Sequence, residues 1–463
     1  MRQINQDILK LALPSILANI TVPLVGMVDI AVAGHLDTNA ATMIGGIAIG
    51  SMLFDLLYWN FGFLRVGTGG LTAQAFGKQD WKECARILTR ALGISLGIAF
   101  CLILIQWIFV KAAFLVVDCT PQVRELASRY FFIRIWAAPA TLSLMALKGW
   151  FIGMQDSVSA MITDFVVNGM NILMSVVLAL GITLPSAGVL VKGMGFSGIA
   201  AGTVAAQYSG LIVALLLIAV KYRSKVFEEF SSADLKGVFK GGETRRFFVM
   251  NAALFVRSLC FIAIYIGFTV ISARYGDVLL AVSSIMMKIL MIFSYFTDGF
   301  AYAGEAMTGR YIGARDLPNL RKTVKWTFIW SMGLAAAFVA IYHFGGVLLL
   351  KMMTSDDVVV EASKAFLPWL VLMPVVGCAA FTWDGIFIGA TGSKEMRNSM
   401  LWSVVAFAAV WIVGIAFLNI SAPTSYGIAA MHILMGAYFA HLLARTVYLT
   451  VKSPLVYDCV KQS

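Results

Sequence analysis

The chain has 463 residues, of which 60% are apolar and 13% are charged, and its formal net charge is +11. The charged share is about half the usual one, and the apolar residues suffice for roughly twelve membrane helices of about 20 residues each. This composition excludes a soluble enzyme, a disordered chain and a secreted disulfide-rich protein, and the long apolar blocks argue against an outer-membrane barrel.

Twelve apolar blocks predict membrane-spanning helices, which we number as spans 1 to 12. The blocks lie near residues 8–34, 43–67, 87–110, 126–147, 158–182, 195–220, 247–272, 279–304, 323–350, 361–388, 399–418 and 427–450. If the N-terminus is cytoplasmic, most of the 35 Lys and Arg residues fall in the even-numbered connections and at the termini. Cytoplasmic loops carry an excess of these residues, so we expect both termini to be cytoplasmic.

The longest polar stretch, residues 221–246, divides the chain almost in half. It predicts a cytoplasmic linker between an N-terminal lobe of residues 1–220, with spans 1 to 6, and a C-terminal lobe. The C-terminal lobe, residues 247–463, contains spans 7 to 12 and a short cytoplasmic tail. Segments of this composition commonly join compact units.

The two halves also repeat. Residues 149–153, GWFIG, recur as GIFIG at 385–389, an offset of 236 residues. A distant second set recurs at the same offset: Thr72, Gly77 and Asp80 as Thr308, Gly313 and Asp316. A duplicated unit with six spans keeps the same orientation in both copies. This arrangement is typical of secondary transporters, in which two lobes rock about a central substrate site.

Asp29 in span 1 is the most informative charged residue, because charges inside apolar blocks are rare and commonly functional. It follows Pro14 and Pro23, and a proline removes a backbone donor and can bend the helix. Desolvation favours the neutral form of a buried carboxyl. Asp29 therefore predicts a proton or sodium coupling site, with an acid that faces water near a helix end as the alternative.

Span 5 carries a polar stripe. Asp164, Asn168, Asn171 and Ser175 are spaced by four, three and four residues, which places them on one helical face. They either line a cavity or join span 5 to spans 1 and 6 through hydrogen bonds. We favour the cavity.

Further charges lie in or near the other blocks. The acids are Asp55, Asp298, Glu305 and Asp384, and the bases are Arg65, Arg134, Arg257 and Lys288. Asp298, Asp384 and Arg257 are secondary candidates for the site. For Arg65, Arg134 and Arg257 a buried ion pair is at least as plausible as a transport role.

No pattern for catalysis, cofactor or metal binding is present. The chain lacks a GK[ST] phosphate-binding loop, its six cysteines form no CxxC pair, and it has only four histidines. The positive charge is explained by cytoplasmic loops rather than by nucleic-acid binding. We therefore expect neither an enzyme nor a metalloprotein.

The sequence resembles the multidrug and toxic compound extrusion (MATE) transporters, and within them the DinF-like branch. The resemblance rests on VDIAVAGHL at 28–36, GLTAQAFG at 70–77 and RIWAAPA at 134–140. In the second half it rests on residues 251–259, 298–306, 313–316, 384–391 and 395–400. These segments span essentially the whole chain.

The resemblance implies an all-α polytopic membrane protein with twelve transmembrane helices in two pseudo-symmetric six-helix bundles. It implies Asp29 as the protonation site, with Asn171 in the same polar network. Many relatives carry an Asp where this chain has Ser175, so either Asp29 is the sole acid or Asp164 substitutes. The span 7 glutamate of the sodium-linked branch is unmatched, and Arg257 is present in that span, which favours protons.

The function implied is a secondary active efflux antiporter that exports lipophilic or cationic small molecules against an inward proton gradient. The alternatives are a sodium-coupled exporter and a flippase of lipid-linked saccharides. We expect a multi-pass protein of the bacterial cytoplasmic (inner) membrane that contacts lipid, binds no nucleic acid and works as a monomer. H+, or alternatively Na+, is the coupling ion, and no cofactor is expected.

Overall fold

The structure is a computed structural model that describes residues 2–34, 36, 40–115, 117, 119–184, 188–228, 237–239, 242–354, 356–421 and 426–462. Within these ranges twelve helical segments are long and apolar enough to cross a membrane. Each overlaps a predicted span, so the prediction of twelve spans is confirmed. His35 and much of the predicted linker, residues 229–236 and 240–241, lie outside the described residues.

In the first half of the chain, long helices alternate with short connections. The elements are α1 (Arg2–Gly34), α2 (Ala40–Trp59), α3 (Phe63–Gly77), α4 (Trp81–Ala113), α5 (Pro121–Arg134), a 3-10 turn (Ile135–Ala137), α6 (Ala138–Gly153), α7 (Ser157–Leu180), β1 (Ile182–Leu184), β2 (Gly188–Val191), α8 (Phe196–Lys221) and a π-helical turn (Arg223–Phe227). The two strands form an antiparallel hairpin in which Leu184 pairs with Gly188.

The second half follows the same plan. Its elements are α9 (Gly242–Ser272), a 3-10 turn (Ala273–Tyr275), α10 (Asp277–Gly313), α11 (Leu317–Met353), α12 (Asp357–Lys364), α13 (Leu367–Gly389), α14 (Ser393–Ser421), α15 (Tyr426–Lys452) and α16 (Pro454–Gln462). Many helices extend beyond the predicted apolar blocks, because the polar residues that flank a block are also helical.

The contacts divide the chain into two compact units. The first unit runs from Leu17 to Arg245, and the second unit contains the residues up to Ile16 and those from Arg246 onward. The predicted N-terminal lobe, 1–220, includes all of span 1, whereas these contacts assign the start of α1 to the second unit. The start of α1 packs closely against α10, because a Cβ atom added at Gly299 on α10 would lie 2.3 Å from Cγ1 of Ile16 on α1.

The described parts of the predicted linker pack on the first unit. Nε of Arg90 on α4 donates to the carbonyl oxygen of Val238 at 2.9 Å, and Arg90 and Val238 are both buried. One turn further along α4, Gly93 leaves room for the ring of Phe239. The Nζ of Lys225 lies 4.2 Å from the ring centre of Trp81.

Aspartates cap three of the helices that follow tight turns. Asp80, Asp156 and Asp316 accept hydrogen bonds from backbone N–H groups at the starts of α4, α7 and α11. Such caps satisfy donors that the first helical turn leaves free.

Asp156 also joins α7 to the end of α8. Its carboxylate accepts from Nζ of Lys221 at 3.0 Å and from the hydroxyl of Tyr222 at 2.7 Å. Burial raises the pKa of Asp156, but the hydrogen bonds from Ser159, Tyr222 and Lys221 outweigh it, and the pKa lies below its usual value. The carboxylate is therefore held ionised in this connection.

The predicted repeat is present in the helix packing. A Cβ on Gly149 of α6 would lie 2.1 Å from the carbonyl oxygen of Arg65 on α3, and a Cβ on Gly385 of α13 would lie 2.0 Å from that of Ala301 on α10. Both members of the second contact lie 236 residues after those of the first. The same helix pair therefore packs in the same register in both units.

The turns repeat as well. Among the described residues, the non-glycine residues with positive φ are Gln79, Gln155, Arg315 and Thr391. They form two pairs at the offset of 236, Gln79 with Arg315 (φ 58° and 56°) and Gln155 with Thr391 (φ 62° and 55°). A left-handed conformation is uncommon for such side chains, so its recurrence at equivalent positions is strong support for duplication.

We predict that Gly149→Ala lowers the free energy of unfolding by about 2 kcal/mol, since the added methyl group overpacks a contact with rigid backbone. The matched control is Gly97→Ala in α4, where a Cβ would meet no atom within 4 Å. Thermal unfolding in detergent measures both. Equal stability of the two variants would contradict the packing described here.

Candidate functional site

The first unit contains a buried carboxyl without an ion pair. Asp29 on α1 is 6% exposed, and within the described ranges its Oδ1 has no hydrogen-bond partner. The hydroxyl of Ser175 on α7 interacts with the carboxyl, and the guanidinium of Arg134 on α5 acts on it electrostatically. A buried acid with so few partners can exchange a proton or another cation.

The polar stripe on α7 surrounds this carboxyl only in part. Nδ2 of Asn171 donates to Oγ1 of Thr203 on α8 at 3.0 Å, and Oγ of Ser175 lies 3.4 Å from Oδ1 of Asn171. Nδ2 of Asn168 donates to Oγ1 of Thr21 on α1 at 2.5 Å. The stripe therefore joins α7 to α1 and α8 through hydrogen bonds, which is the arrangement that the sequence analysis considered beside a cavity. It also brings Ser175 to Asp29.

Asp164, at the other end of the stripe, is paired. Its Oδ2 lies 2.6 Å from Nζ of Lys148 on α6, and both side chains are 23% exposed. Lys148 follows the predicted span 4, which ends near residue 147, but α6 extends to Gly153 and includes it. A carboxylate in contact with an ammonium group has its charge balanced, which distinguishes Asp164 from Asp29.

Pro23 lies on α1 between Thr21 and Asp29, and its side chain is exposed. The helix is continuous from Arg2 to Gly34. A proline in a helix interior removes one backbone hydrogen bond, so α1 has a weak point about two turns before the candidate carboxyl.

Arg134 is the component of the site that the sequence analysis did not assign. Its Nη1 donates to the hydroxyl of Tyr130 at 3.1 Å, and its guanidinium lies 4.7 Å from the ring centre of Phe54. The charges of Asp29 and of Asp55 on α2 both act on it. The signal in the sequence was Arg134 within span 4, together with the acids Asp29 and Asp55 in spans 1 and 2.

The second unit holds a different charged group. Asp384 on α13 forms ion pairs with Arg257 on α9 and Arg445 on α15, and Nε of Arg445 donates to Oδ1 of Asp384 at 3.0 Å. Arg445, near the end of the predicted span 12, is 2% exposed. For Arg257 the buried ion pair considered from the sequence is present. Asp298 is half-buried on α10.

The two charged groups are opposite in composition. The first contains two acids, Asp29 and Asp55, and one base, Arg134, and in the described part of the chain none of the three forms an ion pair within 4 Å. The second contains one acid between two bases in direct contact. With every group ionised, the formal charges sum to −1 in the first group and to +1 in the second.

The chain matches the MatE family model over residues 14–177 and 253–417. It is 34% identical to DNA damage-inducible protein F of Escherichia coli (strain K12) over 93% of each chain. It is 24% identical to the probable multidrug resistance protein NorM of Photorhabdus laumondii, over 94% of this chain and 91% of that one.

Solved structures share the fold. An outward-facing multidrug resistance MATE family transporter of the MOP superfamily superposes with a TM-score of 0.78 at 16% identity, over 99% of this chain and 97% of the other. A MATE crystal structure in the bent conformation gives 0.79 at 16% identity, over 99% and 96%.

Among the described residues, twelve helices are long and apolar enough to cross a membrane, and their packing register is duplicated. These features place the chain in the class of multi-pass membrane transporters. Within that class, the chain belongs to the MatE family, the multidrug and toxic compound extrusion transporters. Proteins of this family are transporters and not enzymes, and they use no prosthetic cofactor.

We expect Arg445→Gln to lower the free energy of unfolding by about 3 kcal/mol, because removing one partner of a buried ion pair leaves uncompensated charge. The control is Lys364→Gln, which breaks an exposed pair with Glu361 that contributes little. Thermal unfolding in detergent compares them. Unchanged stability of the Arg445 variant would show that the cluster does not hold α13 and α15 together.

Proposed function

We propose that this protein is a proton-coupled efflux antiporter that exports lipophilic, often cationic small molecules, and that Asp29 is its coupling residue. The observation that carries the proposal is the state of Asp29, a buried carboxyl in the membrane with an unpartnered oxygen and no ion pair within the described residues. The names of the relatives, which include multidrug resistance proteins, support drug export.

The other candidate acids are less suited to coupling. Asp164 is balanced by Lys148, and Asp384 lies between two arginines. An acid already in contact with a base gains little from binding a proton, since protonation then leaves the base uncompensated. Asp29 is free of this conflict, and Asn171 and Ser175 supply the polar groups beside it.

In the proposed cycle, the two lobes, residues 1–220 and 247–463 joined by 221–246, alternate access to the two sides of the membrane. A proton from outside neutralises Asp29, substrate affinity falls and the substrate leaves. Pro23 lies between Asp29 and the start of α1, and the helix bends there when Asp29 is neutralised. Each proton contributes about 1.4 kcal/mol per pH unit of gradient.

The cellular setting is part of the same proposal. The excess of Lys and Arg in the even-numbered connections favours cytoplasmic termini. Identity to a bacterial relative favours the cytoplasmic (inner) membrane. Both lobes lie in one chain, so a monomer suffices.

The experiment is efflux of a fluorescent lipophilic cation from proteoliposomes, with a pH gradient or a sodium gradient imposed separately. We expect a pH gradient to drive wild-type efflux and Asp29→Asn to lose this drive. The control is Asp277→Asn, an exposed acid at the start of α10, which should behave as wild type.

The alternatives give different outcomes in the same assay. Efflux driven by sodium alone would overturn the proton as coupling ion while leaving the exporter in place. Failure of both gradients to move any tested cation would favour a flippase, and lipid-linked saccharides would be tested next. If a pH gradient still drives efflux by the Asp29→Asn variant, Asp29 is not the coupling residue.

A further inference from the structure

We propose that the exposed start of α11 binds an anionic phospholipid at the membrane boundary. The phosphate of the headgroup lies against three basic side chains, Arg321, Lys322 and Lys325. An acyl chain then runs along two apolar side chains further down the helix, Ile329 and Met332. This surface belongs to the second unit, and the inference is independent of the coupling residue.

One face of α11 changes from basic to apolar along its length. Four residues spaced by three, four and three positions lie on one side of the helix, namely Lys322, Lys325, Ile329 and Met332. Both lysines are exposed, and Ile329 and Met332 are 42% and 62% exposed. Charged groups and a lipid-facing apolar surface are therefore continuous on this face.

The opposite face of α11 packs against the second unit. Leu320, Thr323 and Thr327 are fully buried. The ring centre of Phe328 lies 4.8 Å from that of Trp383 on α13. This packing fixes the rotation of the helix about its axis, so the lysines remain on the outer surface.

Two tryptophans on α11 mark the level of the membrane boundary. Trp326 and Trp330 are half-buried, and Nε1 of Trp330 donates to Oδ1 of Asn5 on α1 at 3.3 Å. Tryptophan side chains are enriched where the hydrocarbon meets the headgroups. Lys325 directly precedes Trp326, and the exposed apolar pair begins one turn further on. The basic groups therefore lie at headgroup level, above the apolar pair.

The two lysines are not neutralised by the part of the protein that the structure describes. Within it, neither Lys322 nor Lys325 forms an ion pair within 4 Å. The nearby Asp316 is engaged in capping α11, where its carboxylate accepts from the backbone N–H and from Nδ2 of Asn319 at 3.1 Å and 2.6 Å. Exposed charges of one sign attract an anion to this surface.

Arg321 completes the basic group. It is exposed, and its guanidinium lies 5.9 Å from the ring centre of Tyr457 on α16. This contact orients the side chain without cancelling its charge. Clusters of Lys and Arg at the membrane boundary bind anionic headgroups, and the start of α11 provides such a cluster.

The equivalent surface in the first unit is different. At the offset of 236 residues, Lys322 corresponds to Arg86, which lies 3.9 Å from the carboxylate of Glu83. The residue that corresponds to Glu83 is the neutral Asn319. Parts of the linker also cover the start of α4. The uncompensated basic surface is therefore a property of α11 and not of the duplicated unit.

A phospholipid matches this face better than a soluble anion does. A phosphate ion would use only the positive charges, whereas a phospholipid also covers the exposed side chains of Ile329 and Met332. The apolar part of the surface thus favours a lipid headgroup over a free phosphate as the source of the anion.

The test is native mass spectrometry of the full chain in detergent, titrated with phosphatidylglycerol or with phosphatidylcholine. We expect the wild type to bind phosphatidylglycerol more tightly. The double variant Lys322→Gln with Lys325→Gln should lower that affinity about thirtyfold, the scale of effect for two basic side chains beside an anionic surface. Binding of phosphatidylcholine should not change. Lys322→Arg with Lys325→Arg keeps the charges and should bind as wild type.

The matched control is Lys111→Gln with Lys351→Gln. It removes two exposed lysines from the last turns of α4 and α11, and within the described residues neither of them forms an ion pair. This variant should keep the affinity for phosphatidylglycerol within about twofold, because each lysine is isolated from other basic residues.

Three outcomes would overturn the inference. One is equal weakening by the control and by the Lys322 and Lys325 variant, which would reflect net charge alone. Another is equal affinity of the wild type for the two lipids. The third is displacement of phosphatidylglycerol by millimolar inorganic phosphate, which would identify a site for a free anion instead of a lipid.

Discussion

The structure depends on close backbone contact between two helices in each unit. Lipid tails are as apolar as a leucine side chain, so membrane helices gain little from hydrophobic burial against each other and associate through close packing of small residues. Gly149 on α6 against Arg65 on α3, and Gly385 on α13 against Ala301 on α10, are such contacts. Lys148 and Asp384 lie directly beside these two glycines on α6 and α13.

On this symmetric framework the two units carry unlike chemistry. Position 148 is a lysine that pairs with Asp164, whereas its repeat equivalent, position 384, is an aspartate between two arginines. Within the described part of the chain, Asp29 forms no ion pair within 4 Å. The packing register is the same in both copies, whereas the charged side chains at these positions differ.

The sequence was sufficient for the number of spans, the duplication and the presence of a lone acid in span 1, because each of these follows from local composition or spacing. It was also sufficient to place Asn171 and Ser175 on one face. The ion pair of Lys148 with Asp164 and that of Arg445 with Asp384 were not predictable in this way. Lys148 follows the end of the predicted span 4, but α6 continues past it, and Arg445 lies near the end of predicted span 12, where α15 buries it. Arg134 and Asp55 lie on different spans, and only the fold brings their charges together.

The two units share one helix-packing register but differ in their charged side chains, and this combination requires that both copies lie in one chain. Two separate copies of a six-helix chain, assembled as a parallel homodimer, would carry every substitution twice, so an isolated acid and an arginine-clamped acid could not occupy equivalent halves. Joining the copies in one chain removes this restriction. Each half can then carry its own set of charged side chains, while both retain the same helix contacts and the same pair of left-handed turns.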